Sequence, residues 1–148
     1  MTADDYFAIQ RLINLYFGYV DTADFEAAGA LFNDAVMFYP ATGKRIVKDG
    51  HVVGELMRSF VKLHGDDGRP LTRHHSGNMI IEPDGFDAAR ASCSAIIFQA
   101  TAEFPLQAIA EASYRDQFKK SDGSWRFARR EMGMTLMGDL SHHLAKPV

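Results

Sequence analysis

The chain has 148 residues, 47% of them hydrophobic and 24% charged, with a formal net charge of -3. This length fits one domain of ordinary globular composition, which excludes intrinsic disorder and low-complexity architectures. No basic stripe could neutralise a phosphate backbone, so we expect no nucleic-acid partner. No apolar run is long enough to span a bilayer and no signal peptide is visible, so we expect a cytoplasmic protein without a membrane partner.

The first third of the chain is predicted to be helical. Apolar residues recur at three- and four-residue steps from about Asp4 to Val20, which is typical of one face of an amphipathic helix. Asp24 is placed to cap a second, short helix. Ala35–Tyr39 predicts a strand, and a third helix is expected over Asp49–Leu63, with Phe60 among its inward residues.

From about residue 74 the hydrophobic period changes from that of a helix to that of a strand. Alternation predicts four long strands, at His74–Ile81, Asp87–Ala100, Gln107–Lys119 and Trp125–Met134. Asp122-Gly123, between the last two, is typical of a tight hairpin turn. Helices followed by long antiparallel strands indicate an α+β fold with the helices on one face of a sheet. Such long strands must curve, and we expect a pocket on the concave side.

The aromatic content is high, with eleven Phe, five Tyr and one Trp beside seven Met. These residues suit either a dense core or an apolar pocket. Their places on the predicted elements favour the wall of a pocket, formed by Phe7, Phe17, Phe32, Phe38, Phe60, Phe98, Met37, Met57, Met132 and Met134. We therefore expect a small apolar substrate or ligand. Apolar positions are also expected on the outer face of the sheet, which favours a homo-oligomer, either a dimer or a trimer.

Asp21 and His74 are the ionisable residues in the most unusual positions. Asp21 ends an otherwise apolar helix face, where it is either a turn carboxylate or a buried partner that orients a base. His74 and His75 open the first long strand, and at most one of them can face a given cavity, because neighbouring strand residues point to opposite faces. A strand histidine is either a hydrogen-bonded structural residue or a general base, for which imidazole is suited near neutral pH.

Motifs for a nucleophile, a nucleotide cofactor or a metal are absent from the sequence. It contains no Gly-x-Ser-x-Gly, no phosphate loop and no dinucleotide fingerprint. The His-His pairs at 74–75 and 142–143 lack the spacing of a zinc site. We therefore expect no cofactor and no metal. Proton transfer, with elimination or isomerisation, is the chemistry that remains.

Six short segments together carry a resemblance to a known family. They are Ile9-Gln10-Arg11-Leu12, Tyr19-Val20-Asp21, residues 30–36, Thr72-Arg73-His74-His75, residues 114–118 and residues 122–127. In this order and spacing they resemble the SnoaL-like branch of the nuclear transport factor two-like superfamily. The resemblance runs from about Ile9 to Leu140 and implies a single SnoaL-like domain over residues 1–148. The implied fold is a cone-shaped α+β barrel of the cystatin-like type, with three N-terminal helices on a curved, mainly antiparallel sheet.

Within that superfamily the pattern is most similar to scytalone dehydratase and hexachlorocyclohexane dehydrochlorinase. Both are cofactor-free eliminating enzymes that use a His–Asp pair in a hydrophobic cone. The resemblance implies His74 as the catalytic base and Asp21 as its partner. It also implies a set of substrate-binding residues, made of Tyr16, Tyr39, Arg130, Phe17 and Asn78. Residues 138–144 are expected to close the mouth of the cone, or that of a neighbouring subunit.

Two departures from the superfamily patterns bear on the reaction. Ketosteroid isomerases place their Asp base where this chain has Tyr39, so that mechanism lacks its base here. The second histidine of the dehydratase falls near Phe98 or Gln99, so we expect a different substrate. A dehydratase or related eliminating or isomerising lyase acting on a small cyclic, polyketide-like or steroid-like substrate is the favoured function. A non-catalytic apolar-ligand-binding or assembly protein, including a subunit like the small one of ring-hydroxylating oxygenases, is the alternative.

Overall fold

A computed structural model describes residues 1–146 of the chain. It contains three helices, α1 (Ala3–Asp21), α2 (Phe25–Ala30) and α3 (Gly50–Phe60), and six strands, β1 (Val36–Tyr39), β2 (Lys44–Val47), β3 (Thr72–Pro83), β4 (Ala88–Thr101), β5 (Phe104–Ser121) and β6 (Ser124–Met137). The strands form one curved, open sheet in the order β2-β1-β6-β5-β4-β3. Every neighbouring pair is antiparallel except β1 and β6, which run parallel. The α+β class predicted from the sequence is therefore confirmed. No helix of residues 1–146 is long and apolar enough to cross a membrane.

The helices begin where their capping residues allow. Thr2 and Asp5 form a reciprocal capping box at the start of α1. Asp24 and Asp49 accept hydrogen bonds from the backbone of α2 and α3, at 3.1 and 3.0 Å. The buried face of α1 follows the predicted period and consists of Ile9, Ile13, Tyr16, Phe17, Val20 and Asp21. This face lies against the sheet, so Asp21, the last residue of α1, lies in the interior.

The long strands carry the curvature of the sheet. Register shifts interrupt all three pairings among β3, β4, β5 and β6, for example between Gly77 and Ile80. Each such bulge bends its strand and increases the local twist. The turn between β5 and β6 was predicted correctly, because Asp122 and Gly123 both have positive φ, 51° and 75°.

Strand β2 and the parallel pairing of β1 were not predicted. Of the four residues of β2 only Ile46 is buried, so the segment shows no alternation that could mark it as a strand. Strand β1 pairs with β6 through Met37 and Arg130, which lie far apart in the sequence. Local patterns do not specify such a partner.

The prediction that the aromatic and Met residues all surround a pocket is wrong for about half of them. Phe7 and Phe60 are 63% and 51% exposed, and α3 already ends at Phe60. Phe38 lies on the outer face of the sheet, between the guanidinium groups of Arg45 and Arg129. Period alone places a residue on one side of an element, but only packing decides which side faces the core.

The outer face of the sheet is also less apolar than predicted. Arg90 pairs with Glu82 at 3.0 Å and Arg129 pairs with Glu131 at 2.6 Å on this face. Apolar side chains are exposed at its other end, where Ile96 and Leu136 are 42% and 67% exposed on either side of Glu111. The face therefore carries both charged and apolar side chains.

Helices α2 and α3 approach each other through glycines. A Cβ atom at Gly54 would lie 2.6 Å from the carbonyl oxygen of Phe25, and one at Gly29 would meet the backbone of Gly50. Backbone atoms cannot be moved as easily as the end of a flexible side chain. The close contact of α2 with α3 therefore depends on these glycines.

Gly54→Ala is expected to destabilise the protein by about 1–3 kcal/mol, because the added methyl group forces the two helices apart. Gly18→Ala is the matched control, since Gly18 also lies in a helix but a Cβ there has no atom within 4 Å. That variant is expected to gain about 0.5–1 kcal/mol from helix propensity. Urea denaturation measures both. Equal stability of the two variants would contradict the proposed contact.

Candidate functional site

Asp21 and His74 form a buried pair at the junction of α1 and β3. The Nδ1 atom of His74 lies 2.6 Å from Oδ1 of Asp21, and the two side chains are 5% and 9% exposed. The backbone N–H of His74 donates to the other carboxylate oxygen at 2.8 Å, and the hydroxyl of Thr72 donates to Oδ1 at 2.8 Å. Because Nδ1 donates to the carboxylate, Nε2 is the ring nitrogen left to accept a proton.

The charge of Asp21 is maintained by these contacts. Burial by itself raises the pKa of this carboxyl, but the hydrogen bonds and charge of His74, together with Thr72, outweigh burial and hold the pKa below its ordinary value. Asp21 is therefore ionised at neutral pH, and it faces the ring on which an imidazolium would form.

Phe17 fixes the plane of the His74 ring. The two rings are stacked, with centroids 5.4 Å apart and an interplanar angle of 13°. Phe17 precedes Asp21 by one helical turn, so α1 supplies both the carboxylate and the ring that hold the imidazole. His75 points to the opposite face, where its ring lies edge-on to Phe98. Of the two neighbouring histidines, His74 is thus the inward one.

A second buried charge pair lies deeper between the helices and the sheet. Arg130 is 0% exposed, and its Nε and Nη2 atoms donate to the two oxygens of Asp116 at 2.8 and 2.7 Å. Four aromatic rings surround the guanidinium carbon at 4.4–5.6 Å, those of Tyr16, Phe32, Tyr114 and Phe127. Burial lowers the pKa of Arg130, but the charge and hydrogen bonds of Asp116 prevail and raise it. Nη1 has no hydrogen-bond partner within residues 1–146.

The predicted residues Tyr16 and Tyr39 belong to this second cluster. Burial raises the pKa of both phenols, so they stay protonated and can donate hydrogen bonds. The hydroxyl of Tyr16 points to the sulfur of Met132 at 3.9 Å. Phe17 connects the two clusters, because its ring packs edge-on against Tyr114 at 5.2 Å.

Asn78 is not brought to either cluster. It lies in the bulge of β3, is exposed and has a positive φ of 51°. The register shift at this bulge breaks the alternation that would have carried the inward face of β3 from His74 to Asn78.

Four residues of the site were not assigned to it from the sequence. Thr72 could have been found, since it precedes His74 by two residues and so shares its face of β3. Asp116 and Tyr114 alternate inward on β5, and Asp116 is opposite Arg130 in the strand register. His143, in the C-terminal segment, is 9% exposed. No sequence pattern could have placed it here, because its position depends on how that segment folds back.

The centre of the cone, predicted to be an apolar pocket, holds Arg130 and its partners. Three hollows on the surface of the described chain lie elsewhere: on the outer face of the sheet, between α2 and α3, and beside α1. None of the three is lined by Asp21, His74 or Arg130, but Asp116 is among the residues that line the hollow on the outer face.

Other reactive groups of the chain are few. Among residues 1–146 no group of three or more His, Cys, Asp or Glu side chains is arranged to hold a metal ion. Cys93 is buried on β4, and burial raises the pKa of its thiol to about 11. It is therefore a protonated, enclosed side chain and a poor nucleophile.

The whole-chain comparisons agree with this architecture. A family model for the SnoaL-like domain matches residues 1–131. No curated protein matches the sequence. Several solved structures do match, although at low sequence identity.

Three of these structures show the range of proteins that share this fold. An NTF2-like protein with a cystatin-like fold from Novosphingobium aromaticivorans is 23% identical, with a TM-score of 0.70 over 88% of this chain and 82% of that chain. A protein provisionally named scytalone dehydratase, from the same organism, is 25% identical, with a TM-score of 0.70 over 91% and 87%. The association domain of CaMKII from C. elegans is 15% identical, with a TM-score of 0.69 over 88% and 95%.

Asp21→Asn is expected to lower stability by about 1.5–3 kcal/mol at pH 7, because it removes the charge that the hydrogen bonds of His74 and Thr72 stabilise. The folded-state pKa of Asp21 is lowered, so its stabilisation is present above the unfolded value near 4 and is lost as the pH falls through the folded value. The difference between the wild type and the variant should therefore shrink below about pH 4. Urea denaturation of both proteins at several pH values between about 2.5 and 7 would measure this difference.

Asp34→Asn is the control, because Asp34 contacts Arg126 on the surface, with side chains that are 49% and 50% exposed. It is expected to change stability by less than about 1 kcal/mol. A loss for Asp21→Asn that is no larger than this, or one that is independent of pH, would show that the Asp21 carboxylate is not held as described.

Asp116→Asn is expected to destabilise the protein by about 3–5 kcal/mol, because Arg130 would remain charged and buried without its partner. The double variant Asp116→Leu/Arg130→Met removes both charges and is expected to be more stable than Asp116→Asn alone. Thermal and chemical denaturation of the two variants make the comparison. If the double variant were the less stable one, the cost would come from packing and not from an unpaired charge.

Proposed function

Because this chain belongs to the SnoaL-like domain family, we propose that it is a cofactor-free lyase-type enzyme, a dehydratase or a related eliminating or isomerising enzyme. His74 is its general base and Asp21 the carboxylate that orients and charges the base. The substrate class is a small apolar cyclic molecule of polyketide-like or steroid-like character. The single observation that carries the proposal is the 2.6 Å contact between Nδ1 of His74 and Oδ1 of Asp21, which leaves Nε2 free.

The proposed reaction begins with proton transfer to His74. Nε2 takes a proton from a carbon next to a carbonyl group, and the electron pair of the C–H bond moves onto the carbonyl oxygen as an enolate. The enolate then expels a group from the neighbouring carbon, or it is protonated again at another carbon. The imidazolium forms next to the ionised carboxylate of Asp21, which lowers the free energy of the charged intermediate.

The second cluster supplies the groups that would stabilise the enolate. Tyr16 and Tyr39 are protonated phenols, and Arg130 carries a permanent positive charge close to the ring of Tyr16, at 4.4 Å. Preorganised donors and charges of this kind act strongly where water is excluded. Arg130 would act mainly through its charge, because two of its nitrogens are already bound to Asp116.

An assembly role is the second candidate, and the outer face of the sheet favours it. Oppositely charged pairs, Arg90–Glu82 and Arg129–Glu131, alternate on this face beside exposed apolar residues such as Ile96 and Leu136. A surface with both signs of charge can be self-complementary about a two-fold axis. The fold neighbour from CaMKII is an association domain. We propose a homo-oligomer through this face, a dimer or a trimer, which is compatible with either function.

His74→Gln is expected to lower the rate of proton abstraction by about 100- to 10,000-fold, which is the usual contribution of a general base. The measurement is deuterium uptake from heavy water at the carbon next to the carbonyl group of 1-tetralone, an apolar bicyclic ketone, followed by NMR. Tyr39→Phe is expected to leave measurable activity, since losing one oxyanion donor costs about 2.7–4 kcal/mol.

His75→Gln is the matched control, because His75 is the neighbouring histidine on the opposite face of β3. It should exchange deuterium at the rate of the wild type. Undiminished exchange in His74→Gln would refute the catalytic role. No exchange above the buffer rate in the wild type, together with a stable oligomer by sedimentation, would favour the assembly role.

A further inference from the structure

The C-terminal segment, residues 138–146, is pinned across one end of the cone. The backbone N–H of Gly138 donates to the carbonyl of Ile109, and the N–H of Lys62 donates to the carbonyl of His143, each at 2.8 Å. The backbone N–H of Ala145 donates to the carbonyl oxygen of Phe60 at 2.8 Å. The segment is thus held on one side by β5 and on the other by the residues that end and follow α3.

Two adjacent histidines of this segment have different surroundings. The ring of His142 stacks on Phe104 at 4.7 Å, and its Nδ1 atom lies 3.2 Å from the hydroxyl of Thr101. The ring of His143 is buried, and its Nδ1 atom has no hydrogen-bond partner among residues 1–146. A buried polar atom without a partner is unfavourable for folding. The contacts of His142 explain its place in the fold, whereas those of His143 with the described residues leave Nδ1 unpaired.

A second unpartnered atom lies at the crossing where the C-terminal segment passes over β4. The side-chain amide of Gln99 donates from Nε2 to the carbonyl of His142 at 2.9 Å and to that of Pro70 at 2.9 Å. The other end of this amide, Oε1, is buried and has no hydrogen-bond partner in the described part of the chain. The amide therefore places one free acceptor next to the peptide that carries His143.

This crossing lies beside the Asp21–His74 pair. Gln99 is opposite Thr72 in the register of β3 and β4, and the hydroxyl of Thr72 binds Asp21. The pKa of His143 agrees with this position. Burial and the charges of His74 and His64 lower this pKa to about 4, although the charge of Asp21 opposes the shift. His143 is therefore neutral near pH 7, and it lies within the electric field of the pair.

We propose that His143 is a substrate-binding residue of the His74 site, which donates from Nδ1 to a hydroxyl oxygen of the substrate while that hydroxyl donates to Oε1 of Gln99. A hydroxyl group can accept one hydrogen bond and donate another, so one such group on the substrate would satisfy both free atoms. A neutral imidazole does this without adding a charge that would compete with His74 for Asp21. The inference rests on the proposed function, since it takes the surroundings of His74 as the substrate site, and it narrows the substrate to a hydroxylated one.

The test compares two probes, 1-tetralone and 4-hydroxy-1-tetralone, by ligand-observed NMR titration. The wild type is expected to bind the hydroxylated probe about tenfold more tightly, which corresponds to about 1.4 kcal/mol. His143→Phe keeps an aromatic ring in the buried position and should bring the ratio of the two Kd values to about one. His143→Asn keeps an N–H donor near the position of Nδ1 and should retain part of the preference.

His142→Phe is the matched control and should keep the full preference, since its ring can still stack on Phe104. Melting temperatures, and protection of the Lys62 and Ala145 amides from hydrogen exchange, establish for each variant that the segment remains folded. A preference that persists in a folded His143→Phe, or that is absent from the wild type, overturns the inference. If it is absent while His74-dependent deuterium exchange is present, this inference fails and the proposed function stands. If it is present without any exchange, the hydroxyl site stands and the catalytic proposal fails.

Discussion

The carboxylate of Asp21 joins the helical layer to the sheet, and the candidate site depends on this connection. It accepts two hydrogen bonds from His74 and one from Thr72, so one charged group holds the end of α1 against the start of β3. A buried carboxylate is tolerated only when its lone pairs are satisfied. Any shift of β3 by one residue would break all three contacts. The same contacts that keep Asp21 charged therefore fix the tautomer and the direction of the His74 ring.

The interior of the cone contains two charged pairs, which differ in whether they can exchange a proton. Arg130 and Asp116 bind each other through two parallel hydrogen bonds inside a cage of aromatic rings, and this pair is 0–1% exposed. Both carboxylate oxygens of Asp116 and two of the three guanidinium nitrogens are engaged within the pair, so it acts on its surroundings mainly through charge. The Asp21–His74 pair has one ring nitrogen left over and can exchange a proton. Phe17 and Tyr114 lie between the two pairs, where Phe17 stacks on His74 and packs edge-on against Tyr114.

Much of the candidate site follows from local periodicity. The helical repeat places Phe17 and Asp21 on one face of α1, and strand alternation allows only one of His74 and His75 to face inward. The resemblance to known family members then singled out Asp21, His74, Tyr16, Tyr39 and Arg130. Local periodicity fails where packing chooses between equivalent faces. Phe7, Phe38 and Phe60 have the right chemistry for a pocket wall, but they lie on sides of their elements that do not face the cone. Asn78 lies outside the site because of a bulge in β3 that the sequence does not predict.

The sequence by itself determined the order of the helices and of every strand except β2, the buried face of α1 and the hairpin at Asp122-Gly123, because each depends on residues within a few positions of one another. Tertiary structure alone decided the parallel pairing of β1 with β6, the pairing of Asp116 with Arg130 and the return of residues 138–146 over β4. These contacts join residues that are distant along the chain. Their free energy comes from buried charge, hydrogen bonds and packing that exist only when the whole sheet has formed. His143 comes within electrostatic range of the His74 pair for this reason, although no local pattern marks it.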